Sequence, residues 1–170
     1  ETLHESIVLD VHGNPYVPAT QDNFSTYHFT SLPQIVEGVE LVCWGAYAHS
    51  LPHKNIWYTS DKGKTVKICF EFGVSIPNNR TSTISTRHIH NVDFNPKDET
   101  FWVQTGDEPT ETDSHWIRGK YSVIEDGWVW DVIGSGDNYK TANMIFYNDY
   151  IYYSWDLAWG GVARVRYEYV

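Results

Sequence analysis

Residues Thr59-Ser60-Asp61-Lys62-Gly63-Lys64-Thr65 decide how this chain is read. They lie between two runs of strand-forming residues, Asn55-Ile56-Trp57-Tyr58 and Val66-Lys67-Ile68-Cys69-Phe70-Glu71-Phe72. Aromatic and β-branched residues suit a pleated, half-buried surface, and Asp and Gly between them interrupt it. A short acid accepts hydrogen bonds from its own turn, and a glycine supplies a backbone position with φ > 0. The stretch therefore predicts a tight β-hairpin whose polar residues serve the turn.

The rest of the composition agrees with an all-β chain. Of 170 residues, 41% are hydrophobic and 16% aromatic, enough for one domain with a core of its own. Eight Trp and twelve Tyr far exceed ordinary usage, and the glycines and prolines are spread along the chain as turn punctuation. No window holds a 3.6-residue apolar period for three turns, so no amphipathic helix is expected. A net charge of −10 argues against a nucleic-acid backbone or an anionic membrane as partner, because both call for Lys/Arg patches. No apolar run approaches the roughly 20 residues of a membrane span, so membrane insertion is not expected. No signal peptide stands at Glu1, and a start without Met is expected of a mature, processed or excised piece. Cys43 and Cys69, the two cysteines, fall inside strand-like runs. They read as buried thiols, and a bridge requires their strands to be neighbours.

The hairpin resembles the Asp box, S/T-x-D-x-G-x-T-W, of the bacterial neuraminidase repeat. Thr59, Asp61, Gly63 and Thr65 match it, and Val66 stands where the aromatic is usual. In that family the motif is structural and joins the third and fourth strands of a β-propeller blade. The resemblance implies a partial β-propeller of about two and a half four-stranded antiparallel blades, similar to sialidase-like glycoside hydrolase domains. Residues 1–170 would then form one β domain, a fragment of a larger propeller. A β-sandwich or jelly roll fits the length and composition equally well.

Internal repeats support the blade reading. Asn91-Val92-Asp93-Phe94 recurs as Asn143-Met144-Ile145-Phe146, 52 residues on. Phe101-Trp102-Val103-Gln104-Thr105-Gly106-Asp107 recurs as Tyr150-Ile151-Tyr152-Tyr153-Ser154-Trp155-Asp156, 49 residues on. Third strands follow at His115–Tyr121 and Gly161–Tyr167, and an earlier copy runs through Tyr27-His28-Phe29, Val39–Gly45 and the hairpin. Glu125-Asp126-Gly127-Trp128 occupies the Asp-box place of the middle copy. The repeats are thus bounded at about 27–73, 88–134 and 140–170. Residues 7–17 read as a hairpin preceding them.

In a propeller, ligands meet the loops before the innermost strand and after the second one. That placement gathers Arg87, His88, His90, Asp107, Lys140, Trp155 and Asp156 as candidate carbohydrate-binding residues. Carboxylates and imidazoles hydrogen-bond hydroxyls, and an indole stacks on the C–H face of a sugar ring. No cofactor is expected. His88 and His90, at strand spacing, would need Asp107 or His115 beside them to hold a divalent metal. Asp107, Glu108, Asp113 and Asp156 are the acids from which a glycosidase pair would be drawn. The catalytic arginines and Tyr–Glu pair of sialidases are not matched: Arg118, Arg164 and Arg166 fall on third strands. Three functions remain open: an extracellular or cell-envelope glycoside hydrolase segment, a non-catalytic lectin-like glycan-binding module, and a protein–protein scaffold. A glycan or oligosaccharide is the expected partner, together with self-association or the remainder of a longer propeller.

Overall fold

The computed structural model describes residues 7–9, 12–15, 28–30, 32–46, 55–73, 84, 86, 88–106 and 114–170. They are all-β, with three sheets in chain order. Sheet 1 contains β1 (Ile7–Leu9), β2 (His28–Thr30), β3 (Gln34–Val36), β4 (Val39–Ala46), β5 (Asn55–Thr59) and β6 (Thr65–Glu71). Its order is β1-β6-β5-β4-β2, with β3 on β4. Sheet 2 is the meander β7 (His88–Asn95), β8 (Thr100–Gly106), β9 (His115–Ser122) and β10 (Gly127–Ser135). Sheet 3 is the shorter meander β11 (Thr141–Tyr147), β12 (Tyr150–Trp155) and β13 (Val162–Arg166). All pairings are antiparallel except β1 on β6, which is parallel. The only helical pieces among the described residues are two 3₁₀ turns, Asp137–Tyr139 and Tyr167–Tyr169.

Sheet 2 lies between the other two. On one face Ile89, Val92, Phe101, Val103, Ile117 and Trp130 pack with Leu41, Cys43, Ile56, Tyr58, Phe70 and Phe72 of sheet 1. On the other, Trp102 and Trp116 pack with Met144 and Ile151 of sheet 3. Every residue of β8 is buried, as a strand covered on both faces requires. The first interface closes most tightly where Ile89 meets Gly45. A Cβ on Gly45 would lie 2.4 Å from Ile89 Cγ2, so glycine is needed for this approach. Trp130 lies over Gly119, its cross-strand partner, and its indole N–H donates to Cys69 O at 3.0 Å.

The hairpin that opened the sequence reading joins β5 to β6. Gly63 has φ 82°, and Lys62 before it also has φ > 0, at 60°. Thr59 Oγ1 donates to Asp61 Oδ1 at 3.0 Å and accepts the Gly63 N–H at 2.9 Å. Asp61 Oδ1 accepts the Thr65 N–H at 2.8 Å. Burial pushes this carboxyl up, but the Thr65 N–H and the Thr59 hydroxyl outweigh it and hold the carboxyl below the usual range. The corresponding acid of sheet 2 is used differently. Asp126, in the β9–β10 turn, accepts the Tyr121 hydroxyl at 2.6 Å and pairs with Lys67 of sheet 1 at 2.7 Å.

The register corrects one spacing. Phe94 pairs with Phe101, and Phe146 with Ile151, so Phe101 corresponds to Ile151, 50 positions on rather than 49. The turn after β7 has two residues more than the turn after β11, not three. Asp156 therefore corresponds to Gly106 and not to Asp107. The N-terminal stretch also differs from a plain hairpin. Leu9 forms an antiparallel bridge to Pro15, but β1 itself extends sheet 1 by pairing with β6. Cys43 and Cys69 sit on β4 and β6, which β5 separates; both are buried thiols that form no disulfide, and Cys69 hydrogen-bonds Cys43.

Candidate functional site

The two ends of the sheets differ. At one end the chain turns back through tight hairpins at 37–38, 60–64, 96–99, 123–126 and 148–149. At the other end the connections run from β4 to β5, β6 to β7, β8 to β9, β10 to β11 and β12 to β13, four of the five longer than any at the first end. Loops that carry binding residues on a rigid scaffold belong to such an end. His88, His90, Gly106, His115, Ser135, Thr141 and Trp155 all lie at or next to strand termini there.

β7 bulges at this point. Its pairing with β8 steps from Ile89↔Thr105 to Asn91↔Gln104, which leaves His90 as the extra residue. β11 bulges at the matching place, between Thr141 and Asn143. A bulge bends a strand and re-aims a side chain. Here Ile89 packs toward sheet 1, while the His90 ring reaches β11, with Nδ1 2.7 Å from Thr141 O. A carbonyl only accepts, so Nδ1 carries a proton and donates it. Nε2 then faces the Asp156 carboxylate, 3.6 Å from Oδ2. Thr141 is fixed from a second direction, because the Trp116 indole N–H donates to its hydroxyl at 2.8 Å. Gly106 makes room for the imidazole: a Cβ there would stand 2.6 Å from His90 Cε1 and 3.4 Å from Ser114 Oγ.

Three imidazoles are buried in this layer, with His88 1%, His115 2% and His90 6% exposed. The His88 and His90 ring centroids are 5.2 Å apart. His115 lies near-parallel to Phe72 and shares a 2.7 Å hydrogen bond between Nδ1 and Ser135 Oγ. Its backbone N–H donates to Thr105 Oγ1 at 3.0 Å. More accessible groups lie at the same end of the sheets. The Asp156 side chain is 45% exposed, its N–H donates to Lys140 O at 3.0 Å, and Trp155 and Lys140 are half-buried.

Three residues further along β7, Asp93 continues the seam to sheet 3. Its Oδ2 accepts the Met144 N–H at 2.8 Å, and its Oδ1 accepts Asn91 Nδ2 at 3.0 Å. Burial pushes the carboxyl up to about 6, while bonds from Met144, Asn91 and Gln104 act in the opposite direction. His90 and Asp93 thus bind one carbonyl and one N–H on the edge of β11 that faces β7.

The structure brings five of the seven candidates, His88, His90, Lys140, Trp155 and Asp156, to this end. Arg87 and Asp107 lie outside the described residues, as do Glu108 and Asp113. Arg118, Arg164 and Arg166 are on the third strands, β9 and β13. No group of three or more His, Cys, Asp or Glu side chains suited to a metal ion occurs among the described residues. No helix among them is long and apolar enough to cross a membrane. Thr141, Ser135 and the structural part of Gly106 were not singled out by sequence. A shared bulge has no sequence signature, and only register reveals it. No family model, curated protein or solved structure matches the chain.

Proposed function

We propose that the chain is a β-propeller segment that binds carbohydrate at the end bearing the long connections. The observation that carries the binding proposal is the half-exposed Asp156 carboxyl, 3.6 Å from buried His90 and next in sequence to half-buried Trp155, with its N–H on the Lys140 carbonyl. Asp156 accepts from sugar hydroxyls, Lys140 donates to them, and the Trp155 indole offers an apolar face to ring C–H groups. His90 is a positioning residue. Its Nδ1–H is committed to Thr141, so its Nε2 stays aimed at the Asp156 carboxylate.

Support for the propeller comes from three sheets that repeat one arrangement. Successive strands pair in order across sheets 2 and 3 and along β4–β6 of sheet 1, and β7 approaches β4 and β2 on one side and β11 on the other. The innermost strands are thus the closest, as in blades fanned about an axis. The matched bulges of β7 and β11 and the hydrogen-bonded Thr59–Thr65 turn add to this.

The test is a panel of immobilised oligosaccharides probed with the protein and with Trp155→Ala and Asp156→Asn. Retention of at least one glycan, reduced tenfold or more by either variant, is the expected result. Retention that neither variant alters would remove this end as the binding site.

A further inference from the structure

Seven of the eight tryptophans are buried or half-buried, whereas Trp159 is 76% exposed. An indole is highly buried on average, because most of its surface is apolar. Trp159 belongs to the turn at 156–161 that joins β12 to β13. The same turn begins with Asp156 and directly follows Trp155, the last residue of β12.

Three backbone hydrogen bonds fix this turn. The Trp155 N–H donates to Gly161 O at 3.0 Å and closes its foot. The Gly160 N–H donates to Leu157 O at 2.8 Å, which makes Ala158 and Trp159 the two central residues at its tip. The Asp156 N–H donates to Lys140 O at 3.0 Å and ties the foot to the residue entering β11. Gly160 and Gly161, with φ of 54° and 136°, take the positive-φ positions that this path requires. A Cβ on Gly161 would lie 3.9 Å from Trp155 Cε3, so the returning chain passes beside the Trp155 ring. The exposed indole is thus mounted on a hydrogen-bonded support.

A tryptophan offers a large contact area with only two χ angles to fix, so a ligand that covers it gains apolar burial at a small entropic cost. Exposure rises along the turn, from half-buried Trp155 through the 45% exposed Asp156 side chain to Trp159. The four peptide units from Trp155 to Trp159 span at most about 14 Å. A ring held by Trp155 and Asp156 occupies the foot of the turn, and a second ring linked to it on the solvent side reaches the tip. There the Trp159 indole meets its C–H face as Trp155 meets the first.

We infer that this end takes an oligosaccharide of at least two linked rings, and that Trp159 stacks on a ring beyond the one held at Trp155 and Asp156. The inference rests on the carbohydrate reading and adds to it the size of the ligand and the residue that selects for size.

The probes are the oligosaccharide retained on the panel, its disaccharide fragment and its monosaccharide unit. Calorimetry measures each against the protein, Trp159→Ala, Trp159→Phe and Trp155→Ala. In the unaltered protein affinity should rise tenfold or more from the monosaccharide to the oligosaccharide. Trp159→Ala should remove that rise and leave monosaccharide affinity within twofold of the parent, and Trp159→Phe should restore part of the rise. Because the bonds that hold the turn are all backbone, both Trp159 variants should keep the fold. Trp155→Ala should weaken every probe tenfold or more. A rise with sugar length that Trp159→Ala leaves unchanged, or an oligosaccharide bound no tighter than its monosaccharide, would overturn the inference. The carbohydrate reading would stand in either case if Trp155→Ala still weakened binding. No retention of any glycan on the panel would overturn both.

Discussion

Replacing Asp93 by Asn should flatten part of the pH dependence of stability. Asp93 is half-buried between β7 and β11, and its carboxyl is raised from 3.8 to about 6. A raised acid holds its proton in the folded state over a range where the unfolded chain has already released it. Its contribution to stability is therefore fully present below about pH 4. It is lost as the pH rises through about 6 and is constant above that. A shift of about two units corresponds to about 3 kcal/mol at full effect, and partial exposure reduces it. Asparagine keeps an oxygen that can accept the Met144 N–H at this 2.8 Å contact but does not ionise. Urea unfolding of both proteins at intervals from pH 4 to pH 8 measures the difference. The variant should gain on the parent by about 2–3 kcal/mol across that range, most of it between pH 4 and 6. The comparison isolates Asp93 because His90 and Asp156 are common to both proteins. A difference that stays constant across the range would refute the buried, proton-holding carboxyl.

Two further substitutions test local structure. Asp61→Ala removes the acceptor of the Thr65 N–H and the partner of Thr59, and should cost about 1 kcal/mol near neutral pH without changing glycan retention. Because the Asp61 carboxyl lies below its usual range, that cost should shrink as pH falls through its folded value, as acid unfolding of the two proteins would show. Gly106→Ala sets a Cβ 2.6 Å from His90 Cε1 and should cost about 1–3 kcal/mol in denaturant unfolding, with faster exchange at the start of β11.

The strands were legible because their signal is local. Asn55–Thr59 and Thr65–Glu71 alternate aromatic and β-branched residues around an Asp/Gly turn, and the sequence marks both ends. β3 escaped notice because Gln34-Ile35-Val36 is too short to show a period. Its Glu37–Gly38 turn, with φ of 48° and 83°, lacks the Asn-Gly or Asp-Gly signature. The equivalence of Asp107 and Asp156 failed for a related reason. A strand has a period of two, so a one-residue difference in turn length changes which residues correspond, and only pairing resolves it. At the candidate site, sequence could place His88, His90, Lys140, Trp155 and Asp156 near strand ends. It could not show that a bulge turns His90 toward Thr141 and sets its ring beside Asp156, because both depend on contacts across the sheets.

The central claim is that Trp155 and its neighbours form a carbohydrate-binding surface. The most direct test is a two-dimensional ¹⁵N NMR titration of the indole N–H groups with the oligosaccharide retained on the panel. Eight tryptophans give eight indole signals, assignable by single substitution. The account predicts that the Trp155 signal shifts and saturates with added sugar, while that of Trp102, fully buried between sheets 2 and 3, stays in place. A titration in which the Trp155 signal does not move, or in which only the exposed Trp159 signal does, would contradict it.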